Sequence, residues 1–237
     1  MGRTFVDYLK NTNDPRLPFY ITLWPGNADP SQLPSSTDPS KQKGLPNGYD
    51  YSTIKNLIPG WTDDMLAEYS EINLNTIASN STPSIFQSYA EVEFLLSEAA
   101  LRGWGPGDAK THYENAVKAS MAIESIYPGG MSIPDVAVNT YLAAHPFTAG
   151  TFDQQMEQIH TQFWVSLFMN NIEVYANWRR TGYPKLIPTN YQGNATGGVI
   201  PRRLPYPQSE ASLNTANYKS AVQVQGPDLF TNKSLVG

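Results

Sequence analysis

Three carboxylates, Glu91, Glu93 and Glu98, stand close together in the stretch YAEVEFLLSEAALRGW. Glycoside hydrolysis needs two carboxyls about 5 to 9.5 Å apart across a cleft. The stretch reads as a helix, on which Glu91 and Glu93 point about 200° apart and cannot face one sugar ring together. A solvated face is therefore the expectation for all three, and a glycosidase is set aside. His112, His145 and His160 have no second histidine at metal-ligand spacing. Three ligands would have to converge from distant segments to hold a metal, so surface or capping roles are expected and no metal. No Ser-His-acid set, zinc motif, phosphate loop or dinucleotide fingerprint is present, and GWGPGD reads as a helix-joining turn. The sequons at Asn80, Asn194 and Asn232 are short enough to arise by chance.

The aromatic residues of the Pro- and Gly-rich segment offer different chemistry. Trp24, Tyr49, Tyr51 and Trp61 lie where no local periodicity calls for core anchors. Rigid amphipathic rings suit a neutral polar ligand, since sugar C–H faces stack on them. Asn27, Gln32 and Asn47 could bond the hydroxyls. Trp24, Tyr49, Tyr51, Trp61 and Asn47 are the expected ligand-binding residues. The competing expectation is a structural one, in which the rings lie over the helical hairpin as a lid. Two arginine pairs, Arg179–Arg180 and Arg202–Arg203, stand out in a chain that is only 16% charged. At the end of a helix the first pair meets the negative end of the dipole, and guanidinium groups can hold the carbonyls of an irregular loop. A carboxylate or phosphate clamp is the alternative.

The elements that would position these groups are mostly helices. At 237 residues, 40% hydrophobic and with 14 tyrosines, the chain can bury a sizeable core. A net charge of -5 with no basic stripe argues against nucleic acid. Without cysteine there is no disulfide or thiol chemistry. No run of about 18 apolar residues suggests a membrane span. Residues 11–60 read as a long loop region, followed by a short helix with Thr62 as its N-cap. Ile85, Tyr89, Val92, Leu96 and Ala99 form the clearest apolar stripe, widened by Ala90, Phe94, Ala100 and Leu101. Asp108 restarts a second amphipathic helix, so 84–127 is an αα-hairpin of tetratricopeptide type. Further helices are expected over 134–144 and 152–178, then Pro- and Gly-rich loop with at most short strands around 199–204.

Six stretches, in order, carry a resemblance: NDPRLPFY (13 to 20), KGLPNGYD (43 to 50), YAEVEFLLSEAALRGW (89 to 104), YENAVKASM (113 to 121), EVYANWRRTGYPKLIP (173 to 188) and IPRRLPYPQSEASLNTANY (200 to 218). The chain resembles the SusD/RagB family of outer-membrane nutrient-binding lipoproteins from Bacteroidetes. The resemblance implies a mainly α fold on tetratricopeptide-like pairs, with an extensive irregular loop region carrying the ligand surface. It implies no catalysis and no cofactor, but binding of glycans, or in some members peptides, with a SusC-like TonB-dependent transporter as partner. The implied location is the cell outer membrane, as a surface-exposed lipoprotein. Family members are normally much longer and begin with a lipoprotein signal and an acylated cysteine, so the chain is expected to be a C-terminal portion. It is read as one domain, 1–237, comprising a loop-rich segment (1–83), the hairpin (84–127), and helices with C-terminal loops (128–237). The arginine motifs match as fold determinants. Family ligand contacts are variable aromatics, so no contact residue is carried over by motif.

Overall fold

The computed structural model describes residues 1–24, 35–50, 52–105, 107–130, 132–191 and 193–232. It falls into two compact units, Met1–Val174 and Tyr175–Gly237. The architecture is mainly α, in line with the sequence reading.

In the first unit, α1 (Arg3–Asn11) buries Phe5, Val6 and Leu9, which share one helical face. A tight turn leads to α2 (Leu17–Tyr20) and then β1 (Ile21–Thr22). After α3 (Ile54–Leu57) comes the short helix expected there, a 3-10 helix over Asp63–Glu68 with Thr62 extended at its N-cap position. The strand β2 (Glu71–Ile72) then pairs antiparallel with β1, Ile21 opposite Ile72.

The hairpin consists of α4 (Tyr89–Leu101) and α5 (Ala109–Ala122). Each begins where the sequence supplies an oxygen acceptor. Ser88 Oγ accepts from the Glu91 N–H at 3.2 Å while Glu91 Oε1 accepts from the Ser88 N–H at 2.9 Å, and Asp108 Oδ2 accepts from the Thr111 N–H at 2.9 Å. Then follow α6 (Asp135–Ala144), α7 (Phe152–Ser166) and α8 (Asn171–Thr181). The single long helix expected over 152–178 is broken. Met169 takes a left-handed φ of 77°, which no α-helix can propagate, and Asn170 Oδ1 accepts from the Glu173 N–H to start α8.

The largest core cluster joins α4, α5, α6 and α7 through Phe94, Tyr113, Met121, Tyr141, Ile159 and Phe163. A second cluster lies under the loop-rich segment, where Phe5 stacks on Phe168 at 4.8 Å and meets Trp164 edge-on at 5.1 Å. Between them sits a polar hub. Arg16, fully buried, donates to Asp14 Oδ1 at 2.9 Å and Oδ2 at 2.6 Å, to Ser120 Oγ at 2.8 Å and to Gln162 Oε1 at 2.7 Å. The Gln162 amide donates in turn to the hydroxyls of Tyr8 and Tyr141, at 2.8 and 2.7 Å. The motif NDPRLPFY is thus spent on tying the loop region to α5 and α7.

The second unit contains two helices where only loop was expected, α9 (Gln208–Leu213) and α10 (Thr215–Gln225). Pro207 precedes the first and Gly226, at φ 89°, follows the second, so helix start and stop signals were present in the sequence. Arg179 and Arg180 do lie in the last turn of α8. The loop guanidinium supplies the reciprocal bond: Arg202 Nη2 donates to the Arg179 carbonyl at 2.6 Å and lies over the Trp178 ring at 5.1 Å. Arg203 pairs with Asp228 at 3.1 Å and covers Tyr206.

Candidate ligand-binding site

The loop-rich segment is held by backbone pairing to the start of α1. The Arg3 N–H donates to the Leu45 carbonyl at 2.7 Å, and the Leu45 N–H to the Met1 carbonyl at 2.8 Å. This approach needs Gly44, where a Cβ would stand 2.3 Å from the Arg3 Cα. Asn47 follows, its amide donating to Thr4 Oγ1 at 2.6 Å while its Oδ1 is buried without a partner. Tyr49 is half-buried just after the left-handed Gly48. Asp50 then caps α3. Hydrogen bonds from the Thr53 and Ser52 side chains, joined by their N–H groups, hold its carboxyl down at about 2.

Trp61 is half-buried after Gly60, its ring tilted against Tyr69 at 5.8 Å. Trp24 is only 6% exposed. The indole N–H groups of Trp24 and Trp61 are buried and have no acceptor. Tyr51, Asn27 and Gln32 lie outside the described residues. Among the described residues no ring contact joins Trp24, Tyr49 and Trp61 to one another. They stand apart along the chain, Trp61 against Tyr69, with Asn47 tied to α1.

Sequence reasoning misjudged the acidic residues of α4. Glu93 and Glu98 are buried, at 5% and 2% exposure, instead of lying on a solvated face. Close polar partners make this tolerable. Glu98 accepts from Arg102 Nε at 2.7 Å and lies 3.2 Å from His160 Nε2. Glu93 Oε2 is 2.7 Å from His112 Nδ1, and its Oε1 accepts from the Tyr89 hydroxyl. Burial works against the Glu93 charge, but the bonds from Tyr89 and His112 outweigh it and hold the carboxyl below its usual range. His160, expected at the surface or as a cap, is fully buried. His145 does cap, its ring nitrogen 3.0 Å from the Tyr141 carbonyl. No group of acids and histidines among the described residues could hold a metal ion.

Glu124 had no distinguishing signal beyond being an acid inside the apolar run MAIESIY. It is fully buried, neither carboxyl oxygen has a partner in hydrogen-bond geometry, and burial pushes the group up to about 7. The Tyr20 hydroxyl and the Arg16 charge favour its ionised form, and burial outweighs them.

Among the described residues of the first unit are several concavities. One of 510 Å³ opens between Ser84, Phe86, Glu124 and Asn170. Another of 530 Å³ lies beside Tyr8, His145 and Gln162. A third, of 640 Å³, is bordered by Tyr89, Asn115, Lys118 and Asn139.

Known proteins add a consistent picture. A SusD-like family model described as "Starch-binding associating with outer membrane" matches residues 1–207. A solved chitin-binding protein is 33% identical, with a TM-score of 0.77, covering 98% of this chain and 49% of its own. A SusD-like protein labelled Bacteroidetes AC2a is 26% identical with a TM-score of 0.80, covering 98% of this chain and 52% of its own. A SusD homologue from Bacteroides fragilis is 28% identical with a TM-score of 0.76, covering 99% and 51%. The chain thus spans about half the length of these relatives. No curated protein matches in sequence. SusD-like proteins bind ligands and are not enzymes, and the chain, matched by the model over residues 1–207, belongs to the SusD-like family.

Proposed function

We propose that this chain binds a saccharide nutrient at the outer membrane, without covalent chemistry, and hands it to a SusC-like TonB-dependent transporter. The observation that carries the reading is the family match over residues 1–207, to a family described as starch-binding and outer-membrane-associated. The 33% identical chitin-binding protein supports a glycan as the ligand class. The proposed contacts are Trp24, Tyr49, Tyr51, Trp61 and Asn47. Tyr49 and Trp61 are half-buried and retain ring surface for stacking. Asn47 stands beside them in sequence as a polar group. Trp24, at 6% exposure, offers little ring surface for stacking. Calorimetry with maltohexaose, chitohexaose and a control peptide tests the reading, with Trp61→Ala and Tyr49→Ala as probes. A sugar-selective signal weakened in both variants supports it, and unchanged affinity in both refutes the proposed contacts.

A second reading, a module that packs against a protein partner such as the transporter, draws on a specific feature of α4. Tyr89, Val92, Leu95 and Leu96 are 62, 38, 43 and 38% exposed, and Phe86 just before them is 94% exposed. Contiguous exposed apolar surface of this kind favours protein contact. Capture of the transporter by a chain that binds no sugar or peptide would favour this reading over the first.

A further inference from the structure

We propose that the concave face bordered by Tyr89, Asn115, Lys118 and Asn139 is a second saccharide subsite, built on helices and separate from the loop aromatics. The inference rests on the glycan-binding reading and extends it to a surface that no family description assigns. Tyr89 opens α4 with 62% of its surface exposed. Its ring is held in place, because the hydroxyl donates to Glu93 Oε1 and Glu93 Oε2 is anchored 2.7 Å from His112. A fixed ring stacks on a pyranose without first losing rotational freedom, which lowers the cost of binding.

The concavity beside the ring has a volume of 640 Å³, inside the range of about 300 to 1,000 Å³ typical of small-molecule sites. Its apolar lining comes from Ala119, Ala122, Ile133 and Val138, suited to sugar C–H groups. Lys118 on α5 and Asn139 on α6 are exposed, and neither side chain hydrogen-bonds to any described residue. An amide that both donates and accepts, beside an ammonium that donates, matches hydroxyls that do both. The charges at the rim, Lys118 and Asp135, cancel, which favours a neutral ligand over an anion or a cation. The supporting side chains come from helices, which hold a site more precisely than loops do.

Calorimetry on the full 237-residue chain, with maltohexaose and chitohexaose in turn, tests the subsite. The variants are Tyr89→Ala, Asn139→Ala and Trp61→Ala, each checked by thermal melting. Asn139 makes no side-chain bond to any described residue, so Asn139→Ala keeps the test valid if Tyr89→Ala fails to fold. The expected result is two classes of site for at least one sugar. Tyr89→Ala and Asn139→Ala should each weaken one class about 10-fold and spare the other, and Trp61→Ala should do the reverse. If a sugar binds with affinity and stoichiometry unchanged in Asn139→Ala and in every folded Tyr89 variant, the subsite is overturned and the loop reading stands. If neither sugar binds the wild-type chain, both fall together.

Discussion

Arg16 and Asp14 form a forked ion pair, Nη2 to Oδ2 at 2.6 Å and Nε to Oδ1 at 2.9 Å, with both side chains at zero exposure. Two charges so deeply placed are tolerable because each guanidinium nitrogen and each carboxylate oxygen is bonded. Removing either partner strands the other. Asp14→Asn and Arg16→Met should each lower unfolding stability by about 3 to 5 kcal/mol, read from urea midpoints at neutral pH. A loss below about 1 kcal/mol would mean that the pair is already hydrated in the folded chain.

Glu124 should make stability fall as pH rises. Its carboxyl is raised to about 7 by burial, from a usual value of 4.5. Below the usual value both folded and unfolded chains are protonated, and the group adds no pH dependence. Between 4.5 and about 7 the folded chain keeps a proton that the unfolded chain releases, so stability declines until the folded group ionises as well. The decline amounts to roughly 3 kcal/mol by pH 8. Thermal melts from pH 4.5 to 8 should show this fall in the wild type and a smaller one in Glu124→Gln. Parallel curves would show that Glu124 is already charged in the fold.

The two faces of α4 should respond differently to truncation. Phe94 is fully buried, and Phe94→Ala should cost about 3 to 5 kcal/mol. Leu96 is 38% exposed, so Leu96→Ala should cost about 1 kcal/mol. Chemical denaturation of both variants separates the faces, and equal losses would show that the outer row is covered in solution.

Arg202 should behave as a helix cap contributed from a distance in sequence. Arg202→Ala removes the bond to the Arg179 carbonyl and the stacking over Trp178, and should destabilise the second unit by about 1 to 2 kcal/mol. Arg202→Lys should recover less than half of that, since an ammonium is neither planar nor forked. Hydrogen exchange of the α8 amides provides the local readout.

Most helices were legible because their caps and breakers are local. Ser88, Asp108, Pro134 and Thr151 stand at the N-cap positions of their helices. The orientation of α4 was not legible. Its clearest apolar stripe, Tyr89, Val92 and Leu96, faces outward, while Ala90 and Phe94 are buried. A helix apolar on nearly every side has no unique inner face for periodicity to find. The burial of Glu93 and Glu98 was hidden for the same reason, since their partners His112 and His160 lie on other helices. Of the candidate site, composition pointed to the aromatic segment. Nothing in composition told that Trp24 turns inward, or that Asn47 already holds Thr4.

The hub around Arg16 also bears on the order in which the chain assembles. Its bonds to Ser120 and Gln162 close loops of 104 and 146 residues, whereas α4 and α5 meet across a short turn. Loop closure favours the near pairing first. The guanidinium's bonds to α5 and α7 are therefore expected to close after the hairpin, once α7 has delivered its amide.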